Sequence, residues 1–109
     1  MRAAVLDLGT NVFNMILGEF TPQGECRIIK EYKCAAKLGA GGLSDGLIAP
    51  VAFETATAAL EKIMEVIREA GGADEIIPFA TSAVRDAANG LEFAEQMNSR
   101  FGFNIRIIP

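Results

Sequence analysis

Residues Ala3 to Asn11 read AAVLDLGTN, and this stretch constrains the fold more than any other. Ala3 to Leu8 is too uniformly apolar for a strand with one wet face, so it predicts a central strand covered on both faces. Its single carboxylate, Asp7, is penultimate, and Gly9 ends the run. The acid is thereby delivered to the end of the strand, beside backbone N–H groups freed by the turn. Gly9 can take a positive φ or let another group approach closely. Thr10 and Asn11 add a hydroxyl and an amide able to bond phosphate oxygens. Successive N–H groups in such a turn form an anion nest, and Asp7 could hold a divalent cation facing it. The same D-x-G-T string also fits an ordinary strand-to-turn exit.

The remaining pattern supplies that strand with neighbours. Val12 to Phe20 reads as a second strand, and Thr21-Pro22-Gln23-Gly24 suits a type I turn, with Cys26 to Ala36 returning as a third. Lys37 to Gly46, KLGAGGLSDG, holds four glycines in ten residues and reads as an irregular loop, whose glycines either only shape it or make it a mobile cover of an anion crevice. Pro50 sits at a first helical position, and Phe53, Ala56, Leu60, Ile63, Met64 and Ile67 recur at helical spacing, predicting a helix over Val51 to Ala70 that Gly71-Gly72 stops. Glu75 to Ala80 is a short buried strand, and a single helical turn carrying Arg85 follows Thr81-Ser82. Asn89 with Glu92 resembles a capping box for a second main helix running to about Arg100. Asn104 to Ile108 is a fifth strand.

Three strands in a meander, then helix, strand, helix, strand, predict an α/β fold with a five-stranded mixed sheet of order 3-2-1-4-5 and two main helices. Strands four and five should run parallel to strand one, because each crossover contains a helix. The exits of strands one and four then lie side by side, so Asp7 to Thr10 and Thr81-Ser82-Ala83 face one crevice, with Arg85 near it. Arg85 also fits a surface pair with Asp86 or Glu92.

Composition removes other chemistries. Ten Lys and Arg against 14 Asp and Glu give a net charge of −4, and no basic run exists to displace counterions from a nucleic acid. With no histidine and two cysteines, the chain holds neither a zinc site nor a Cys-His pair. Cys26 and Cys34 in one extended segment would stand about 26 Å apart, beyond disulfide reach, and are expected to be packing residues. No apolar run approaches the roughly 20 residues that span a membrane, and Asp7 and Gly9 break the N-terminal stretch below signal-peptide length, so a cytoplasmic protein is expected. No pair of carboxylates is placed for acid and base roles. A mean hydropathy of +0.27 leaves room for an apolar face awaiting a partner, including a second copy of the chain. A non-catalytic phosphate- or nucleotide-binding module and a small structural domain therefore stand beside an enzymatic reading.

Four stretches together resemble one family: AAVLDLGTNVFNMIL from Ala3, KLGAGGLSDG from Lys37, the helix after Pro50, and FATSAVRDAANGLEF from Phe79 to Phe93. The chain resembles the N-terminal portion of the exopolyphosphatase and guanosine pentaphosphate phosphohydrolase (Ppx/GppA) family, within the RNase H-like superfold of actin, hexokinase and Hsp70. The resemblance implies an actin-like ATPase half-domain, with residues 1–109 as an incomplete N-terminal lobe of a phosphoanhydride hydrolase. It implies that Asp7, Gly9, Thr10 and Asn11 contact phosphate, with Asp7 contacting Mg²⁺ or another divalent cation, and that Ser82, Arg85 and Lys37 complete the anion site. Val12 departs from it, standing where the family usually has serine. Polyphosphate or guanosine pentaphosphate is the implied ligand. The glutamate that activates water and a second lobe with its own phosphate loop are expected beyond Pro109, so the 109-residue chain is expected to be inactive alone.

Overall fold

The computed structural model describes residues 1–38 and 46–109. The first three strands are β1 (Arg2–Leu8), β2 (Val12–Phe20) and β3 (Cys26–Ala35). Helix α1 (Pro50–Glu69), strand β4 (Glu75–Ala80), the short helix α2 (Ser82–Asp86), helix α3 (Gly90–Phe101) and strand β5 (Arg106–Ile107) follow. The sheet has the order β3-β2-β1-β4-β5, as the connectivity predicts. β1 pairs antiparallel with β2 and parallel with β4, and β5 runs parallel to β4.

Local chemistry sets most boundaries. The Gly24 N–H donates to the Thr21 carbonyl at 3.0 Å, closing the Thr21–Gly24 turn between β2 and β3. Pro50 occupies the first turn of α1, where its missing N–H costs nothing. At the other end the Gly72 N–H returns to Ile67 O at 2.9 Å, and the Arg2 guanidinium donates to the Ala70 carbonyl at 2.7 Å. Arg2 thereby ties the end of α1 to the first strand.

One face of the sheet carries the core. Ala4, Leu6 and Leu8 of β1 and Phe13, Met15 and Leu17 of β2 pack with Leu60 and Ile63 of α1 and with Phe93 and Met97 of α3. Phe53 and Phe93 meet edge to face at 5.2 Å, joining α1 to α3.

The opposite face corrects an expectation. The apolar run Ala3 to Leu8 predicts cover on both sides, yet Ile16 and Ile28 on the other face are 40% and 53% exposed, and Val5 and Asp7 are only half-buried. Among the described residues, the three helices supply apolar cover to one side alone. Side chains alternate along β1, so Ala4, Leu6 and Leu8 face the core while Ala3, Val5 and Asp7 fall on the opposite face, and the run reads apolar whether or not that face is covered.

Two smaller differences have local causes. The fifth strand is Arg106–Ile107 rather than Asn104 to Ile108, because the Asn98 side chain accepts the Ile105 N–H at 2.9 Å and withdraws it from the ladder. Both cysteines are free, but Cys26 is exposed rather than packed, since β3 is an edge strand. Among the described residues no helix is long and apolar enough to cross a membrane.

Candidate functional site

The parallel pairing of β1 with β4 aligns Leu8 with Ala80, so the two strands end together. The residues that follow each strand therefore meet. Thr10 Oγ1 and Ser82 Oγ lie 3.1 Å apart, 72 positions separated in sequence. They border an open cleft of about 190 Å³ whose other lining residues are Gly46, Ala83 and Asp86.

The turn after β1 is tight. The Gly9 N–H donates to Val12 O at 3.2 Å, and a Cβ on Gly9 would stand 2.8 Å from that oxygen. Close approach, rather than a positive φ, is what glycine supplies here. The Asn11 carbonyl accepts from the N–H groups of Ala36 and Lys37 at 3.0 and 3.1 Å, fastening the turn to the end of β3. Lys37 is exposed and takes a φ of +49°, a conformation that L residues other than asparagine and aspartate seldom adopt.

Asp7 opens on the uncovered face of the sheet. Its Oδ1 is buried and has no hydrogen-bond partner among the described residues. A cavity of about 400 Å³ adjoins it, with Asn14, Ile16, Glu31, Lys33 and Phe79 in its lining. Register places Phe79, Asp7, Asn14 and Lys33 in one row across β4, β1, β2 and β3. Asn14 and Lys33 escape the sequence reading. The Asn14 signal was present, because a turn over Gly9 to Asn11 that pairs Leu8 with Phe13 necessarily pairs Asp7 with Asn14.

A buried carboxylate oxygen lacking a donor suits a cation. No group of three or more His, Cys, Asp or Glu gathers among the described residues. A cation at Asp7 would thus take one protein carboxylate and complete its shell from water and phosphate oxygens, the manner in which Mg²⁺ is usually held.

Arg85 is engaged elsewhere. Its Nε donates to Asp86 Oδ1 at 2.9 Å and its Nη2 to Asp86 Oδ2 at 3.3 Å, so of the two surface pairings open in the sequence, the one with Asp86 forms. The hydrogen bond from Arg85 lowers the Asp86 carboxyl below its ordinary value, against some desolvation, and the same bond raises the guanidinium. Asp86, not Arg85, lines the cleft.

Asn89 does not cap α3. Its side chain makes no capping bond to that helix, which corrects the capping-box expectation. The carboxamide is turned to another segment: Oδ1 accepts the Ile48 N–H at 2.8 Å and Nδ2 donates to the Ile48 carbonyl at 3.0 Å. A pair of strong backbone bonds to one residue outcompetes a single cap. The Ala88 N–H adds a third link, to Gly46 O at 2.7 Å. Gly90 allows the turn between α2 and α3 because a Cβ there would collide with the Val84 carbonyl. Of the Lys37 to Gly46 loop, residues 39–45, the expected cover, lie outside the described residues.

This arrangement matches proteins of known family. The profile of the Ppx/GppA phosphatase family covers residues 19–109. Exopolyphosphatase 1 of Mycobacterium tuberculosis is 25% identical over 108 residues, which are 99% of this chain and 31% of that protein. An exopolyphosphatase from Cytophaga hutchinsonii superposes with a TM-score of 0.88 at 26% identity, over 99% of this chain and 34% of its own. The Aquifex aeolicus member of the Ppx/GppA family gives 0.86 at 25% identity, over 99% and 35%. The chain thus spans about a third of the length of the relatives it matches.

Proposed function

Because the chain belongs to the Ppx/GppA phosphatase family, we propose that it is the phosphate-binding N-terminal lobe of a hydrolase of terminal phosphoanhydride bonds, acting on inorganic polyphosphate or guanosine pentaphosphate. The observation that carries this reading is the meeting of Thr10 and Ser82 at 3.1 Å, at the joint ends of β1 and β4. Two hydroxyls, each able to donate and accept, there adjoin a glycine turn on one side and the start of α2 on the other.

Each residue has a distinct task. The Thr10 and Ser82 hydroxyls orient a phosphoryl group between them, and the Gly9 to Asn11 turn offers backbone and amide donors. Asp7 is the anchor for Mg²⁺, which when bound neutralises charge on phosphate oxygens. Arg85 and Lys37 supply positive charge at the rim, and Asn14 and Lys33 extend the polar row from Asp7 across the open face. Phosphoryl transfer depends on positioning and charge stabilisation from all sides of the reacting group. Since the relatives are about three times as long, the water-activating carboxylate and the opposing phosphate contacts would come from the remainder of such a protein, and the 109-residue chain alone would bind without turnover.

Titration of the purified chain with tripolyphosphate, with and without Mg²⁺, tests the binding. Saturable heat that needs Mg²⁺ and disappears in Thr10→Val/Ser82→Ala is the expected result. Heat unaffected by that double substitution would remove the site from contention. Sustained phosphate release by the 109-residue chain would remove the claim that it is inactive.

A further inference from the structure

The cleft beside Thr10 and Ser82 has a third wall, Gly46, contributed by the segment leading into α1. That segment is held by one side chain of the α2–α3 turn. The Asn89 carboxamide both accepts from and donates to the Ile48 backbone, at 2.8 and 3.0 Å, and the neighbouring Ala88 N–H bonds Gly46 O at 2.7 Å. Ile48 is only 2% exposed, so its side chain seats in the core while its backbone N–H and carbonyl are both held by Asn89. Gly90 brings this clip close to α2, whose first residue is Ser82. The wall and the hydroxyl pair are thereby referenced to the same short turn.

We propose that Asn89 is a positioning residue: its carboxamide sets the Gly46–Ile48 wall relative to Thr10 and Ser82 and so fixes the width of the phosphate cleft. It touches no ligand itself. This inference rests on the proposed phosphate site. Only a group presenting one acceptor and one donor in this geometry meets both Ile48 backbone groups. A carboxylate keeps the acceptor but sets its second oxygen against the Ile48 carbonyl, whereas a protonated carboxyl restores the donor.

Asn89→Asp therefore gives a chemical switch for the test. Tripolyphosphate binding by the full 109-residue chain is measured with Mg²⁺ from pH 7.5 to pH 4.5, always as the ratio of variant to wild type so that ligand protonation cancels. The expected ratio is about tenfold weaker at pH 7.5 and moves toward wild type as acid protonates the carboxyl. The Gly46 and Ile48 amide resonances of the ligand-free variant should shift over the same pH range, returning toward wild-type positions in acid. Asn89→Ala, which lacks both groups, should remain about tenfold weak at every pH. Amide signals that titrate while affinity stays at the wild-type level would overturn the inference and leave the phosphate site standing. A wild-type chain that binds no tripolyphosphate, with Gly46 and Ile48 still titrating in the variant, would overturn the proposed function while the clip itself persists. Asn89→Ala binding tripolyphosphate at the wild-type level would overturn the role of the carboxamide.

Discussion

Arg85 and Asp86 are adjacent in sequence and share two hydrogen bonds, so a guanidinium expected to meet anions is held by a carboxylate that lines the cleft. Asp86 thus competes with any phosphate for the same donors. Asp86→Asn should tighten tripolyphosphate binding about two- to fivefold, and Arg85→Ala should weaken it, both read by calorimetry at fixed salt. Both side chains are well exposed, at 40% and 68%, so neither change should move the melting temperature appreciably.

The same pair fixes a pH dependence. Asp86 titrates below its ordinary value in the fold because Arg85 bonds its charged form. What the pair adds to stability is therefore present above the unfolded carboxylate value of about 3.9 and is lost as pH falls through the lowered native value. Glu19, bonded by Arg2 and Arg27, behaves with the same sign. Carboxyl resonances followed by NMR should show both groups still charged where an unpaired acid is half protonated, and Arg85→Ala should return Asp86 alone to the ordinary range.

Asp7 carries a cost that the proposed cation would relieve. Its buried Oδ1 lacks a donor among the described residues, a condition that typically costs about 1–3 kcal/mol. Asp7→Asn should raise the melting temperature of the metal-free chain and abolish the Mg²⁺ dependence of tripolyphosphate binding. A thermal scan with and without Mg²⁺ should show the wild type gaining stability from the ion and the variant gaining none.

Asn98 holds the connection to the last strand. Its carboxamide accepts the Ile105 N–H at 2.9 Å, and its backbone carbonyl accepts from Gly102 and Phe103. Asn98→Ala should cost about 1 kcal/mol by denaturant titration, with hydrogen exchange accelerated at Ile105 and Ile108 and unchanged in β1.

The strand order was legible because connectivity leaves few choices: two hairpins and two helical crossovers put β1 between β2 and β4. That order sets the ends of β1 and β4 side by side, and the register of Leu8 against Ala80 then brings Thr10 to Ser82. The row from Asp7 to Lys33 does not. A register shift between Leu17 and Gly18 moves β3 by one residue against β2. Without it, Asn14 would oppose Tyr32, and Lys33 would fall on the other face. Asn89 misled for a different reason. Its spacing to Glu92 suits a cap, but Ile48, 41 positions earlier, offers its backbone N–H and carbonyl to the same carboxamide, and local pattern cannot see so distant a competitor. The uncovered face was hidden because Ala3 and Val5, which alternate onto it, read as apolar whether or not anything packs there.

The Asn11 carbonyl, shared by the N–H groups of Ala36 and Lys37, makes the Gly9–Asn11 turn and the end of β3 a single mechanical unit. Tension on that oxygen registers in two amides some 25 residues downstream. On the proposed reading the turn would carry its own gauge of occupancy: a ligand drawing Asn11 toward itself should lengthen both bonds at once, and a ¹⁵N label at Ala36 would read it without touching the site.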